Sequence, residues 1–153
     1  MVKVEQSGGK WNKNPLKKKI VSIASYSEDE LVLSVYSDNV LLLNKNTGET
    51  KPLSINHDAL NYLIKYTDKN MNLYNENDGG LLLISNTVYR YNKKNGRCFE
   101  LQMPEGKKAD DYLQSIGRTN EGVWLHDQYH IYFLPNGSEK LELKVTYGDH
   151  GIN

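Results

Sequence analysis

Apolar residues along this chain come in short runs separated by clusters of Asn, Asp, Gly and Lys, which is the pattern of strands joined by tight turns. Three stretches share one layout. The first runs Leu31–Tyr36, a polar turn at Asp38-Asn39, Val40–Leu43, a second turn Asn44-Lys45-Asn46-Thr47-Gly48, and Glu49–Ile55. The second runs Gly80–Ser85, Asn86-Thr87, Val88–Tyr91, Asn92-Lys93-Lys94-Asn95-Gly96, and Arg97–Met103. Between Asn39–Gly48 and Thr87–Gly96 the two align without a gap at a fixed offset of 48 residues. The third runs Gly122–His126, Asp127-Gln128, Tyr129–Leu134, Pro135-Asn136-Gly137, and Glu139–Val145.

Each copy predicts strand, polar turn, strand, glycine turn, strand. A tight hairpin needs a residue at positive φ, where glycine carries no Cβ penalty, and Asn or Thr beside it supplies side-chain hydrogen bonds. A fourth strand per unit is expected from Ile20–Tyr26, Tyr62–Tyr66 and Tyr112–Ile116. Two of these have a helical rival: Leu60, Leu63 and Ile64 form a stripe within Asp58–Tyr66, and Ala109, Tyr112, Leu113 and Ile116 form another, for which strand is the favoured reading. A period of roughly 40 to 50 residues with this internal order marks a propeller array.

The stretches Asp78-Gly79-Gly80-Leu81-Leu82-Leu83-Ile84, Val88-Tyr89-Arg90-Tyr91-Asn92-Lys93-Lys94-Asn95-Gly96-Arg97 and Glu121-Gly122-Val123-Trp124-Leu125 resemble the propeller repeats in sensor regions of bacterial two-component regulators. Those repeats read glycine, apolar, tryptophan, apolar, then a Tyr-Arg-Tyr-like strand and an Asn-Gly or Thr-Gly turn. The tryptophan is kept here at Trp124, while Leu33 and Leu82 or Leu83 stand near the corresponding places. The resemblance covers most of residues 20–145 and implies an all-β fold of about three blade-like antiparallel units, spanning 20–56, 60–104 and 110–147 of one repeat domain, 20–153. Residues 1–19 form a basic arm ahead of it. Closed propellers use about four to eight blades, so three units need a second copy, the N-terminal segment, or collapse into a compact sandwich or barrel to cover their edges. The start at Met1 favours a whole chain over a fragment.

At 153 residues with lysine plus arginine equal to aspartate plus glutamate, the chain has the length of one ordinary domain and no global field that would draw it to nucleic acid. The arm, with Lys3, Lys10, Lys13, Lys17, Lys18 and Lys19 around Trp11, reads as a solvated tether in preference to a phosphate-contacting segment. Cys98 is the only cysteine, which excludes an intramolecular disulfide and fits a reducing compartment. No secretory signal or run of about 20 apolar residues is present, so a cytoplasmic protein is expected. Eleven tyrosines against two phenylalanines suit half-buried strands and binding surfaces.

His126 and His130 have an H-x-x-x-H spacing, but in a strand–turn context and without the zincin glutamate. His57 and His150 are expected to be solvated. Glu28-Asp29-Glu30, Glu76-Asn77-Asp78 and Asp110-Asp111 match no calcium loop and read as solvated turn ends. Neither a Ser/His/Asp arrangement nor a phosphate-binding glycine loop occurs. Cys98 beside Phe99 reads as a small buried hydrophobe, and Asn136-Gly137-Ser138 as a hairpin turn. Gly9-Lys10-Trp11 is similar to the Gly-x-Trp strand that opens lipocalin and fatty-acid-binding barrels, although Asn12-Lys13-Asn14-Pro15 then reads as a turn.

These observations predict a non-catalytic binding protein of bacterial or phage type, without cofactor, engaging a protein partner through a tyrosine-rich β surface. Self-association through blade edges is an accompanying expectation. The partner-binding candidates are Trp11, Tyr89, Tyr91, Trp124, His126, Tyr129, His130 and Tyr132. The alternatives are a small-ligand binder with Trp124, His126, Tyr129 and Tyr132 around a pocket, and a metal-dependent enzyme using His126 and His130.

Overall fold

In the computed structural model the described residues are 19–36, 40–66, 71–104 and 113–147, without the side chains of Lys65 and Tyr66. Most of the basic arm, including Gly9-Lys10-Trp11, together with the turn Asp38-Asn39, the Asp110-Asp111 pair, Ala109, Tyr112 and His150, lies outside them. Among the described residues the chain is all-β apart from one helix, α1 (Asp58–Tyr66). Its strands form three open four-stranded antiparallel sheets, each in plain chain order and none closed into a barrel. The first holds β1 (Ile20–Ser25), β2 (Glu30–Val35), β3 (Val40–Asn44) and β4 (Thr50–Pro52). The second holds β5 (Asn72–Asn75), β6 (Leu81–Ile84), β7 (Val88–Tyr91) and β8 (Cys98–Glu100). The third holds β9 (Gln114–Thr119), β10 (Gly122–His126), β11 (His130–Pro135) and β12 (Glu142–Thr146). The chain divides into two compact units, one ending at Leu73 and one beginning at Tyr74.

The 48-residue repeat has a physical counterpart in its turns. Gly48 N–H donates to the Asn44 carbonyl at 2.8 Å and Gly96 N–H to the Asn92 carbonyl at 2.9 Å. The two glycines sit at φ 79° and 74°, where a side chain would be strained. Asn44 Oδ1 accepts from the amides of Asn46 and Thr47, and Asn92 Oδ1 from that of Lys94. Each loop thus satisfies its own polar groups.

In the first unit, β2 and β3 pair Val32 with Leu42 and Ser34 with Val40, setting four buried side chains on one face. The expected strand Tyr62–Tyr66 is instead the end of α1. His57 caps this helix, its Nδ1 accepting the Leu60 amide at 3.0 Å while its carbonyl accepts that of Asn61. The helix buries Leu60 and Ile64 one turn apart, which is the stripe the sequence carried. The fourth strand of the second sheet is β5, which follows the helix.

In the second unit the sheets share a core. Leu82, Ile84 and Val88 from the second sheet pack with Val123, Leu125, Tyr132 and Leu134 from the third, together with Leu101, Leu113 and Leu141. Burying each Leu, Ile or Val side chain contributes about 1.5–3 kcal/mol. All four residues of β6 have zero exposure, so this strand reads as a continuous apolar run because both of its faces are covered. Arg118 on β9 donates from Nη1 to the Asn75 and Glu76 carbonyls at 3.0 and 3.4 Å. Asn77 donates to the Thr119 carbonyl at 2.7 Å, and a parallel bridge joins Gln102 to Lys140. Of the expected strand Tyr112–Ile116, Gln114–Ile116 belong to β9, and Leu113 lies just ahead of it.

Candidate functional site

The strand register sorts the aromatic candidates onto opposite faces of the third sheet. β10 and β11 pair Val123 with Leu134 and Leu125 with Tyr132, and these face the core. The alternate pairs, Trp124 with Phe133 and His126 with Ile131, face the other way. Ile131 pairs in turn with Val145 on β12, and the Tyr147 amide donates to the Tyr129 carbonyl at 2.7 Å, extending the same pairing by two residues. The Trp124 and Phe133 rings pack tilted at 44° with centroids 4.7 Å apart. Lys144 Nζ stands 5.9 Å from the Phe133 ring centroid. Gly122 permits this packing, since a Cβ there would meet the Leu134 carbonyl oxygen and lie 2.8 Å from Phe133 Cζ. At the open end Tyr129 and Tyr147 are 38% and 57% exposed.

Tyr132 and His130 belong to the inner side. Tyr132 has zero exposure, and Tyr89 and Tyr91 are likewise buried, so these three tyrosines are core constituents where a surface role was expected. The rows Val88–Tyr91 and Tyr129–Leu134 show no polar–apolar alternation, so burial could not be assigned from pattern alone. His126 and His130 fall on opposite faces of the sheet, which separates the imidazoles that the H-x-x-x-H spacing paired. His126 Nδ1 donates to the Asp127 carbonyl at 2.9 Å, and His130 Nδ1 to the Asp127 carboxylate at 3.0 Å. Among the described residues no group of three His, Cys, Asp or Glu could hold a metal ion.

Asp127, missed by sequence reasoning, organises the β10–β11 turn from a fully buried side chain. Its Oδ1 accepts from the amides of Tyr129 and His130 at 3.0 and 2.8 Å, and its Oδ2 from the Tyr132 hydroxyl at 3.3 Å. The signal available was an aspartate two and three residues ahead of those amides, the spacing of a side-chain turn.

A second constellation lies at one end of the second sheet. Glu76, read as a solvated turn carboxylate, is 4% exposed and grips Arg90 through a fork: Nε to Oε1 at 2.7 Å and Nη2 to Oε2 at 2.8 Å. A charge in the middle of a strand needs such a partner, and Arg90 within Val-Tyr-Arg-Tyr was the available sign. The Glu76 hydrogen bond holds the Arg90 pKa above its ordinary value. Gly80 makes room for the carboxylate, because a Cβ there would lie 2.7 Å from Glu76 Oε1.

Beside this pair is a groove of about 550 Å³ bounded by Asp78, Arg90, Lys93, Lys94 and Phe99, with Tyr91 also in its wall. Lys93 Nζ donates to Asn75 Oδ1 at 3.1 Å, and burial pushes its pKa down. Phe99 is 41% exposed. Its neighbour Cys98 is buried, as expected, and its thiol is pushed up to about 12 by that burial.

No protein-family model matches the chain, and no curated protein matches it either. Among the described residues, no helix is long and apolar enough to cross a membrane.

Proposed function

We propose that this chain is a non-catalytic binding protein that engages another protein through the outer face of its third sheet. The observation that carries this reading is the composition of that face. Where a solvated sheet face alternates to polar residues, β10, β11 and β12 turn outward Trp124, His126, Ile131, Phe133 and Val145, with the Glu142–Lys144 ion pair beside Phe133, and end in the exposed pair Tyr129 and Tyr147. Tyrosine and tryptophan give large contact area at low conformational cost and are enriched in interface cores. The three meanders of like order are read in the same proposal as propeller-like blades, of which the third keeps one face for its partner.

The test is capture with the full chain from its native host, run side by side with Tyr129→Ser/Tyr147→Ser. These positions are exposed, so the variant should fold with an unchanged circular dichroism spectrum. One protein retained stoichiometrically by the wild type and released by the variant is the expected result. The reading fails if both chains retain the same set of proteins. It fails equally if light scattering gives twice the chain mass for the wild type and a single mass for the variant, since the face would then belong to a second copy.

A further inference from the structure

We propose that the face of the first sheet opposite Val32, Val40 and Leu42 packs against the same face of a second copy of this chain, as an antiparallel two-fold dimer. The register defines that face. Ile23, Leu33 and Leu41 form one row across β1, β2 and β3, which reaches β4 at Pro52. Ile20 with Val35 lies on one side of the row and Leu31 with Leu43 on the other, where Ser25 and Thr50 are the polar members. Ile20 and Ile23 are each 54% exposed, Leu31, Val35, Leu41 and Leu43 keep partial exposure, and the central Leu33 retains 8%. A sheet with one solvated face alternates apolar with polar residues, whereas β2 and β3 are aliphatic on both faces.

Composition and charge identify the occupant. A wholly aliphatic face is like a core cut in two, the character of homodimer contacts. Residues 1–18 of the same chain do not supply its complement, because Val2, Val4, Trp11 and Leu16 are scattered there among lysines. The two ends of the sheet carry opposite charge. β1 begins directly after Lys17-Lys18-Lys19, and the β1–β2 turn at the far end holds Glu28-Asp29-Glu30. Glu30 accepts from the Ser27 hydroxyl at 3.1 Å and Asp29 from the Asn46 side chain at 3.2 Å, neutral donors that leave both charges in place. Glu49 adds a charge to the acidic end, while Lys45 there, and Asp38 between β2 and β3, offset one charge at each end. A two-fold axis in the contact plane, perpendicular to the strands, sets the basic end of each copy on the acidic end of the other. An axis parallel to the strands would stack like ends. Strands of about 20 Å spaced about 4.8 Å apart give a footprint of roughly 20 by 20 Å, at the small end of specific interfaces and suited to micromolar association.

Light scattering of the full chain at low salt, over about 1–200 μM, should show the mass rising from 17.5 kDa towards twice that value. Ile23→Glu, at an exposed position, should weaken association at least about a hundredfold with an unchanged circular dichroism spectrum. The milder Ile20→Ser should weaken it by about five- to tenfold. Glu28→Lys/Asp29→Lys should weaken the dimer by about tenfold, Lys18→Glu/Lys19→Glu should do the same, and the chain carrying all four reversals should regain wild-type association. Tyr129→Ser/Tyr147→Ser should dimerise as the wild type does, which separates this face from that of the third sheet. The proposal is overturned if the wild type stays monomeric at about 200 μM, or if Ile23→Glu and Ile20→Ser associate unchanged. It is overturned equally if the tyrosine variant abolishes the dimer, or if the fourfold reversal fails to restore it.

Discussion

Replacing Asp127 by alanine should destabilise the protein more than most single substitutions outside the apolar core. The carboxylate is fully buried and accepts from four donors: two amides, the His130 ring and the Tyr132 hydroxyl. Hydrogen bonds to a charged group contribute about 1.5–3 kcal/mol each, and an orphaned buried donor costs about 1–3 kcal/mol. The Tyr129 amide is only partly buried and regains water, and the Tyr132 bond is long at 3.3 Å. The His130 amide and ring nitrogen therefore dominate, giving an expected loss of about 3–5 kcal/mol. In urea unfolding followed by tryptophan fluorescence, that corresponds to a midpoint lowered by about 2 M at unchanged slope. Asp127→Asn keeps an oxygen for the turn amides but sets an NH₂ group against His130 and Tyr132, so it should fall between wild type and alanine. A loss below about 1 kcal/mol for Asp127→Ala, or an asparagine variant worse than alanine, would refute the assignment of the turn to this carboxylate.

Gly122→Ala should cost about 3 kcal/mol or more in the same assay, because the new Cβ meets the backbone of Leu134 and Pro135, which cannot swing away. Gly117→Ala, with nothing within 4 Å of its Cβ, should stay within about 0.5 kcal/mol of wild type. Glu76→Gln should lower stability by about 2 kcal/mol, and adding Arg90→Gln should restore part of that loss in a double-mutant cycle, since the cost is chiefly an unpaired, mostly buried guanidinium. Cys98 should resist iodoacetamide at pH 8 in the folded chain and react at once in urea, because its thiolate is disfavoured by burial. Its folded pKa of about 12 lies above the ordinary thiol value of 9.0, so its contribution to stability is complete below pH 9 and declines as pH rises from there through about 12. A stability profile flat over that range for wild type but sloping for Cys98→Ala would contradict this.

The three later strands of each unit and the glycine turns between them were legible because they rest on local chemistry, whereas the fourth strand of the second sheet, β5, was not. Gly48 and Gly96 need positive φ whatever packs around them, and Asn44 and Asn92 close their own loops. Facing was not legible. In Tyr129–Leu134 every residue but His130 is apolar or aromatic, so which parity meets the core depends on the pairing of Tyr132 with Leu125, a contact set by the neighbouring sheet. That parity buries His130 with Tyr132 and turns His126 outward with Trp124. The groove was hidden for a related reason. Glu76 and Arg90 are fourteen residues apart, and only the β5–β6 turn, with Gly80 bare of a side chain, brings the carboxylate over the strand. The helix at Asp58–Tyr66 had the right apolar spacing all along, and its cap at His57 decides it against the strand.

The core common to the second and third sheets should make these two sheets melt as a single cooperative unit. Leu141, carried just ahead of β12, packs in the same cluster as Leu82 and Ile84 from β6. Loss of the last strand would therefore not simply shorten the third sheet by one row. It would strip cover from residues some sixty positions earlier, and amide protons of β6 and β11 should exchange with solvent through the same rare global opening.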